Sequence, residues 1–217
     1  MPDTSRMRSL HHAASHAAHL TDEHWVSAQT LSDFVNEATA NQMLWRSTLC
    51  ASRLLPEHVE RAAAIAHERR MLILLEDWCV DAVHAAGAAQ RLVDANALLS
   101  LRVLRRDEHP DVMDAHHVGA ARSIPVIIAF DHHGYECGWW GPRPSPLQTW
   151  IETEMQCIET SARSPFVRDW YTQDAGVTTE TELLLLLESP RIAHSVLAHG
   201  EVGVAAAAPT SRNTRRT

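Results

Sequence analysis

The spacing of apolar residues changes several times along this chain, and each change marks an element. Between Trp25 and Trp45, Leu31, Phe34, Val35 and Ala38 recur at i, i+3, i+4 and i+7, one face of an amphipathic helix. Pro56 suits the first position of a second helix through about Arg69, with Glu57 on the favourable end of the dipole and Val59, Ala62, Ala63 and Ala66 as its stripe. Met71 to Leu75 is then an unbroken apolar run of strand length, as in a central parallel strand covered on both faces. It ends in Glu76-Asp77-Trp78-Cys79.

After the cysteine, Ala82, Ala86, Ala89 and Val93 return to helical spacing, and Leu99, Leu101 and Val103 alternate with Ser100 and Arg102 as in a strand. Pro110 opens a short helix. Pro125 precedes the strand Val126 to Phe130, and Asp131-His132-His133-Gly134 predicts a hairpin turn into Tyr135 to Trp140. A helix follows from about Pro146 to Ala162. From residue 71 the predicted order is β-α-β-α-β-β-α, an α/β domain in which a parallel half is joined to an antiparallel hairpin. The run Leu183 to Leu187 is too short for a membrane and predicts one face of a C-terminal helix begun near Thr178, docked on the domain.

These patterns divide the chain into a flexible histidine-rich arm over 1–20, a helical extension over 21–70, a core over 71–162, a C-terminal helical extension over 163–201 and a disordered tail over 202–217. Composition supports a folding chain: 45% of residues are hydrophobic and 21% charged, near globular averages. A formal charge of −8 argues against nucleic acid or an anionic membrane surface as partner, since both reward clustered Lys and Arg. Protonating the 15 histidines would carry the charge from −8 to +7, so solubility is expected to depend on pH near about 6.5. Met1 to Leu20 lacks a signal-peptide apolar stretch, and no run approaches the ~20 apolar residues of a membrane span, so the expected address is cytoplasmic. Cysteines at 50, 79, 137 and 157 have neither disulfide-framework nor zinc-module spacing.

Three landmarks carry the chemistry. Trp78-Cys79 follows a buried strand and opens a helix, whose end N–H groups favour thiolate over thiol. Arg122-Ser123-Ile124-Pro125 stands before another apolar strand, and Trp140-Gly141-Pro142-Arg143-Pro144 closes the hairpin. Together they resemble the thioredoxin-like superfamily, in which Trp-Cys begins the active-site helix, a cis proline faces the cysteine and a glycine follows the hairpin. More narrowly, Glu76 to Ala82, Arg106 to Asp114 and Trp140 to Pro144 look like a little-characterised bacterial branch with a Trp-Cys-x-Asp-Ala motif. Asn41 to Arg46, Trp170 to Asp174 and Thr178 to Leu187 look like its terminal extensions.

The resemblance implies a thioredoxin fold, with a central mixed four-stranded sheet flanked by helices. It implies Cys79 as the catalytic thiol, Trp78, Ile124 and Pro125 as substrate-binding residues, and a substrate backbone pairing just before Pro125. The expected partner is a protein disulfide or a glutathionylated substrate, with no metal or resident cofactor. Ala82 stands where well-known reductases carry a second cysteine, so glutathione or another external thiol must resolve a mixed disulfide at Cys79. Ile73 stands where many thioredoxins carry a proton-relaying aspartate, and Glu76, Asp77 and Asp81 add negative charge near the thiol.

Plainer readings stand beside these. Cys79 can be a small packed hydrophobe in a groove that now serves as a protein-binding adaptor without catalysis. Cys50, Cys137 and Cys157 read as buried structural thiols. His12, His16 and His19 would share a helix face able to take zinc or nickel, with His116 and His117 as a second cluster, but solvated histidines are the simpler account. His84, five residues after Cys79, reads as an exposed helix residue.

Overall fold

The structure, a computed structural model, describes residues 10–12, 22–50, 54–118 and 120–189. Its frame is a sheet of β1 (Leu10–His12), β2 (Arg69–Leu75), β3 (Leu99–Arg105), β4 (Val126–Phe130) and β5 (Glu136–Trp140), in the order β1-β5-β4-β2-β3. β2 pairs parallel with β3 and antiparallel with β4, which pairs antiparallel with β5. The last four strands are the mixed four-stranded sheet read from the sequence. Met71 to Leu75 are buried throughout because β2 has a strand on each side and helices on each face, whereas Ser100 and Arg102 on edge strand β3 are only partly covered. In the turn between β4 and β5, Asp131 Oδ1 accepts from the N–H groups of His133 and Tyr135, and Gly134 takes φ 80°, a left-handed conformation open to glycine.

The fifth strand departs from the sequence reading, which sets all of 1–20 outside the fold. Leu10–His12 instead pairs with β5, Leu10 opposite Trp140 and His12 opposite Gly138, because an open sheet edge offers unpaired N–H and C=O groups. A helix face shared by His12, His16 and His19 is therefore not formed at His12. His16 and His19 lie outside the described residues, as do 202–217.

The N-terminal extension is three short helices, α1 (Asp22–Ser27), α2 (Leu31–Glu37) and α3 (Gln42–Cys50), where the periodicity suggests one. Thr30 breaks the first: its backbone is extended and its Oγ1 accepts from Asp33 N–H, an N-cap. Asn41, at φ 51°, breaks the second. The predicted stripe still packs inward, with Phe34 edge-on to Trp45 at 5.4 Å. The next helix, α4 (Pro56–Ala63), stops short of Arg69 because Asn96 Nδ2 donates to the carbonyls of Ala62 and Ile65, and Arg69 and Arg70 join β2.

α5 (Val80–Ala95) covers the sheet after Cys79, and α6 (Pro110–Ala115) leaves β3 through a 3-10 turn. Beyond β5 run α7 (Ser145–Thr153), α8 (Ser164–Asp174) and α9 (Val177–Glu188), so the helix expected to Ala162 ends at Thr153. Leu183, Leu184, Leu186 and Leu187 are buried, and Glu180 ties α9 inward through His58 Nδ1 at 2.8 Å and Arg91 Nε at 2.7 Å. α7 and α8 form a separate apolar cluster with Leu147, Ile151, Met155, Val167 and Tyr171. Among the described residues no helix is long and apolar enough to cross a membrane.

Candidate functional site

Cys79 is the N-cap of α5, buried at 8% exposure, and its Sγ lies 3.5 Å from the carbonyl of Ile124. The Ile124–Pro125 peptide is cis, as is Gly141–Pro142. Gly141 takes φ 150°, and its Cα side faces the Pro125 carbonyl so closely that a Cβ there would stand 2.3 Å from the oxygen. The three sequence landmarks therefore meet at one place.

They open on a cavity of about 590 Å³, within the range of small-molecule sites. Trp78, Cys79 and Ile124 line it together with Ile151 of α7 and Val167 of α8. Trp78 is 52% exposed and carries the Arg106 guanidinium over its ring at 5.3 Å. Arg106, Arg122, Arg143 and Arg163 line the cavity, and among the described residues Asp81 is the one carboxylate that does so.

The loop carrying the thiol is held from the N-terminal extension. Asp77 Oδ2 accepts from the N–H groups of Thr39 and Ala40 and from Thr39 Oγ1, while its carbonyl accepts from Trp45 Nε1 and Asn41 Nδ2. Burial pushes the Asp77 carboxyl up, but those hydrogen bonds outweigh it and hold the group below the usual carboxylate range. Glu76 Oε1 accepts from Asp107 N–H at 3.0 Å, with Arg105 at 3.8 Å from Oε2. Of the three acids expected to crowd the thiol, Glu76 and Asp77 are thus engaged by other parts of the fold, and Asp81 is the one that raises the thiol pKa.

Asp81 receives Arg143 Nη2 at 2.7 Å on Oδ2 and the Tyr171 hydroxyl at 2.9 Å on Oδ1. Burial first, and Asp81 second, push the Cys79 thiol up to about 11, against the opposing pull of Arg143 and of the Ala82 and Asp81 N–H groups. Burial, then Asp81, also pushes the Tyr171 phenol well above its usual value. The helix start alone suggests an activated thiol; desolvation reverses the sign. Ile124 O accepts a hydrogen bond only from the protonated thiol, which works in the same direction.

Sequence reasoning missed the Asp81, Arg143 and Tyr171 network. Both partners lie in segments singled out for resemblance, but no spacing signals that residues 81, 143 and 171 meet. Cys137 is buried as expected, whereas Cys50 and Cys157 are exposed, and none of the three lines the Cys79 cavity. His116 is taken up by Val112 O at 2.7 Å and Glu136 Oε2 at 3.3 Å, which accounts for it without a metal cluster with His117.

His84, read as exposed, is half-buried and stacks on Tyr171 with ring centroids 4.2 Å apart. Burial first, then the charges of Arg91 and Arg168, push its pKa down to about 4. A lowered histidine pKa means the unfolded chain binds the proton more tightly. The associated stability is complete above the unfolded value of about 6.5 and is lost as pH falls toward 4, by up to roughly 3 kcal/mol. In urea unfolding at about pH 7.5 and 4.5, His84→Gln should lose about 2 kcal/mol less than wild type on acidification. Equal losses would contradict this account.

Comparison with known proteins agrees with the architecture. A crystal structure of a protein of unknown function from Pseudomonas aeruginosa superposes with a TM-score of 0.59 at 18% identity, over 76% of this chain and 95% of that one. A crystallised HIV epitope-scaffold does so at 0.59 and 16%, over 77% and 97%. At such identities the likeness shows the fold alone. No curated protein matches the chain. The family model described as Thioredoxin matches residues 28–158, more than half of the 217 residues, and the protein accordingly belongs to the thioredoxin family.

Proposed function

We propose that the chain is a monothiol thiol–disulfide exchange protein acting through Cys79. The observation that carries this reading is the position of Cys79 Sγ, 3.5 Å from Ile124 O and opening on an arginine-lined cavity. In the first step the Cys79 thiolate attacks one sulfur of a disulfide R–S–S–R′, forming Cys79–S–S–R and expelling R′–S⁻, which takes up a proton. With Ala82 in place of a second cysteine, an external thiol of the glutathione class then attacks the mixed disulfide on the R sulfur. The second step forms a new disulfide with R and frees Cys79. Trp78 and Ile124, the latter joined to Pro125 by the cis peptide, border the incoming chain, and the cavity arginines suit the carboxylates of a glutathionyl group.

Cys79→Ser should abolish glutathione-dependent turnover of a glutathione mixed disulfide and of a protein disulfide. Wild type without Cys79-dependent turnover of either would overturn the proposal.

A second reading, a binding module using the same groove, is favoured by the thiol near 11, which leaves only about one molecule in 10⁴ as thiolate at neutral pH. It requires partner binding unchanged by Cys79→Ser and lost in Ile124→Arg.

A further inference from the structure

The structure points to a divalent-metal site of the zinc class formed by His24, His109 and Asp111, apart from the thiol cavity. Each offers one ligand atom, and these atoms all lie within 4.8 Å of one another. His24 comes from α1, while His109 and Asp111 stand at the start of α6, more than eighty residues later in the chain. A tetrahedral ion with bonds of about 2.1 Å sets its ligand atoms about 3.4 Å apart. His24 Nε2 and Asp111 Oδ2 are already 3.2 Å apart, and the His109 ligand atom lies within 4.8 Å of the ligand atoms of both.

The two segments are held together independently of any ion. Gln29 and Val103 exchange both backbone hydrogen bonds at 2.9 Å, and Arg102 Nη1 donates to Ala28 O at 3.3 Å. The end of α1 is thereby fixed to β3, from whose end the chain turns through Arg106–Glu108 into His109. Preorganisation of this kind removes most of the ordering cost of bringing distant ligands together. The His24 and His109 rings meet edge-on with centroids 6.0 Å apart, so they converge without stacking face to face.

Donor chemistry selects the ion. Two imidazoles and one carboxylate favour zinc, cobalt or nickel over magnesium or calcium, which prefer all-oxygen shells. Three protein ligands leave a fourth tetrahedral position for water. Asp111 is 64% exposed, which leaves the ion a path from solvent. The inference does not rest on the redox reading, and its test does not involve disulfide turnover.

After chelator treatment, the full chain is titrated with Co²⁺, followed by its visible spectrum and by competition with Zn²⁺. One Co²⁺ should bind with a tetrahedral-type spectrum, and a large excess of Mg²⁺ should not displace it. His109→Ala, which leaves the His24–Asp111 pair, should weaken binding at least tenfold, and so should Asp111→Asn, an exposed change that spares the fold. Replacing His11, His12, His16 and His19 together by Ala, or Cys79 by Ser, should leave it unchanged. The site is refuted if wild type binds no Co²⁺, if both His109→Ala and Asp111→Asn bind as wild type, or if either control variant abolishes binding. An isolated His24–Asp111 ion pair would show itself as the first of these outcomes.

Discussion

Asp81→Asn should make Cys79 more reactive toward a small alkylating agent at neutral pH. Asp81 is the charge that most raises this thiol, and Arg143, now held on Asp81 Oδ2 at 2.7 Å, is the charge that lowers it. Removing the carboxylate while keeping the side chain's shape leaves the guanidinium unopposed beside the sulfur. A fall of about 1 to 2 units multiplies the thiolate fraction by roughly 10 to 100. A less basic thiolate is also a weaker nucleophile, by about half of that shift on a logarithmic scale, so the net gain should be about 3- to 10-fold.

Arg143→Met should move the inflection of reactivity against pH the other way, and Tyr171→Phe should move it least, since that change removes no formal charge. The measurement is the alkylation rate of Cys79 across pH, with Cys50, Cys137 and Cys157 replaced by Ser. An inflection that stays put in Asp81→Asn, or shifts in the same direction in Arg143→Met, would refute the electrostatic account. The same variants separate the two functional readings. Thiol exchange should quicken in Asp81→Asn, and groove binding without exchange should not follow thiolate fraction at all.

Gly141→Ala should cost roughly 4 kcal/mol of stability and disorganise the site together with the fold. Two penalties combine: φ 150° is a conformation that L side chains rarely adopt, and the added Cβ would stand 2.3 Å from Pro125 O and 3.3 Å from Val126 Cα. The obstacles are backbone atoms of the β4 entry, and no flexible side-chain tip can swing aside. Relief must come from separating the end of β5 from Pro125, which also shifts Ile124 O away from Cys79. Urea unfolding should show the loss, and Cys79 alkylation should accelerate in the native state as the thiol gains solvent. A variant as stable as wild type, with an unaltered alkylation profile, would mean that the close approach is not maintained in solution.

Elements set by local chemistry were legible in the chain. The unbroken run Met71 to Leu75 suited a strand covered on both sides, and prolines at 56 and 110 open helices where their missing N–H costs nothing. Asp131 to Gly134 turns because an aspartate can accept from the next N–H groups and a glycine can take positive φ. Trp78-Cys79 after such a strand placed the thiol at a helix start.

Pairings between distant segments were decided only in three dimensions. Asp77 is bound by Thr39 and Ala40, Asp81 by Arg143 and Tyr171, and His24 faces Asp111. No local periodicity records such meetings, because their separations of 37 to 90 residues are closed by the packing of the whole core. The direction of the Cys79 shift belongs to the same class. Sequence places both the favourable helix end and the opposing acids beside the sulfur, but the balance depends on how much water the surrounding packing leaves there, and desolvation of a thiolate is a property of the assembled fold.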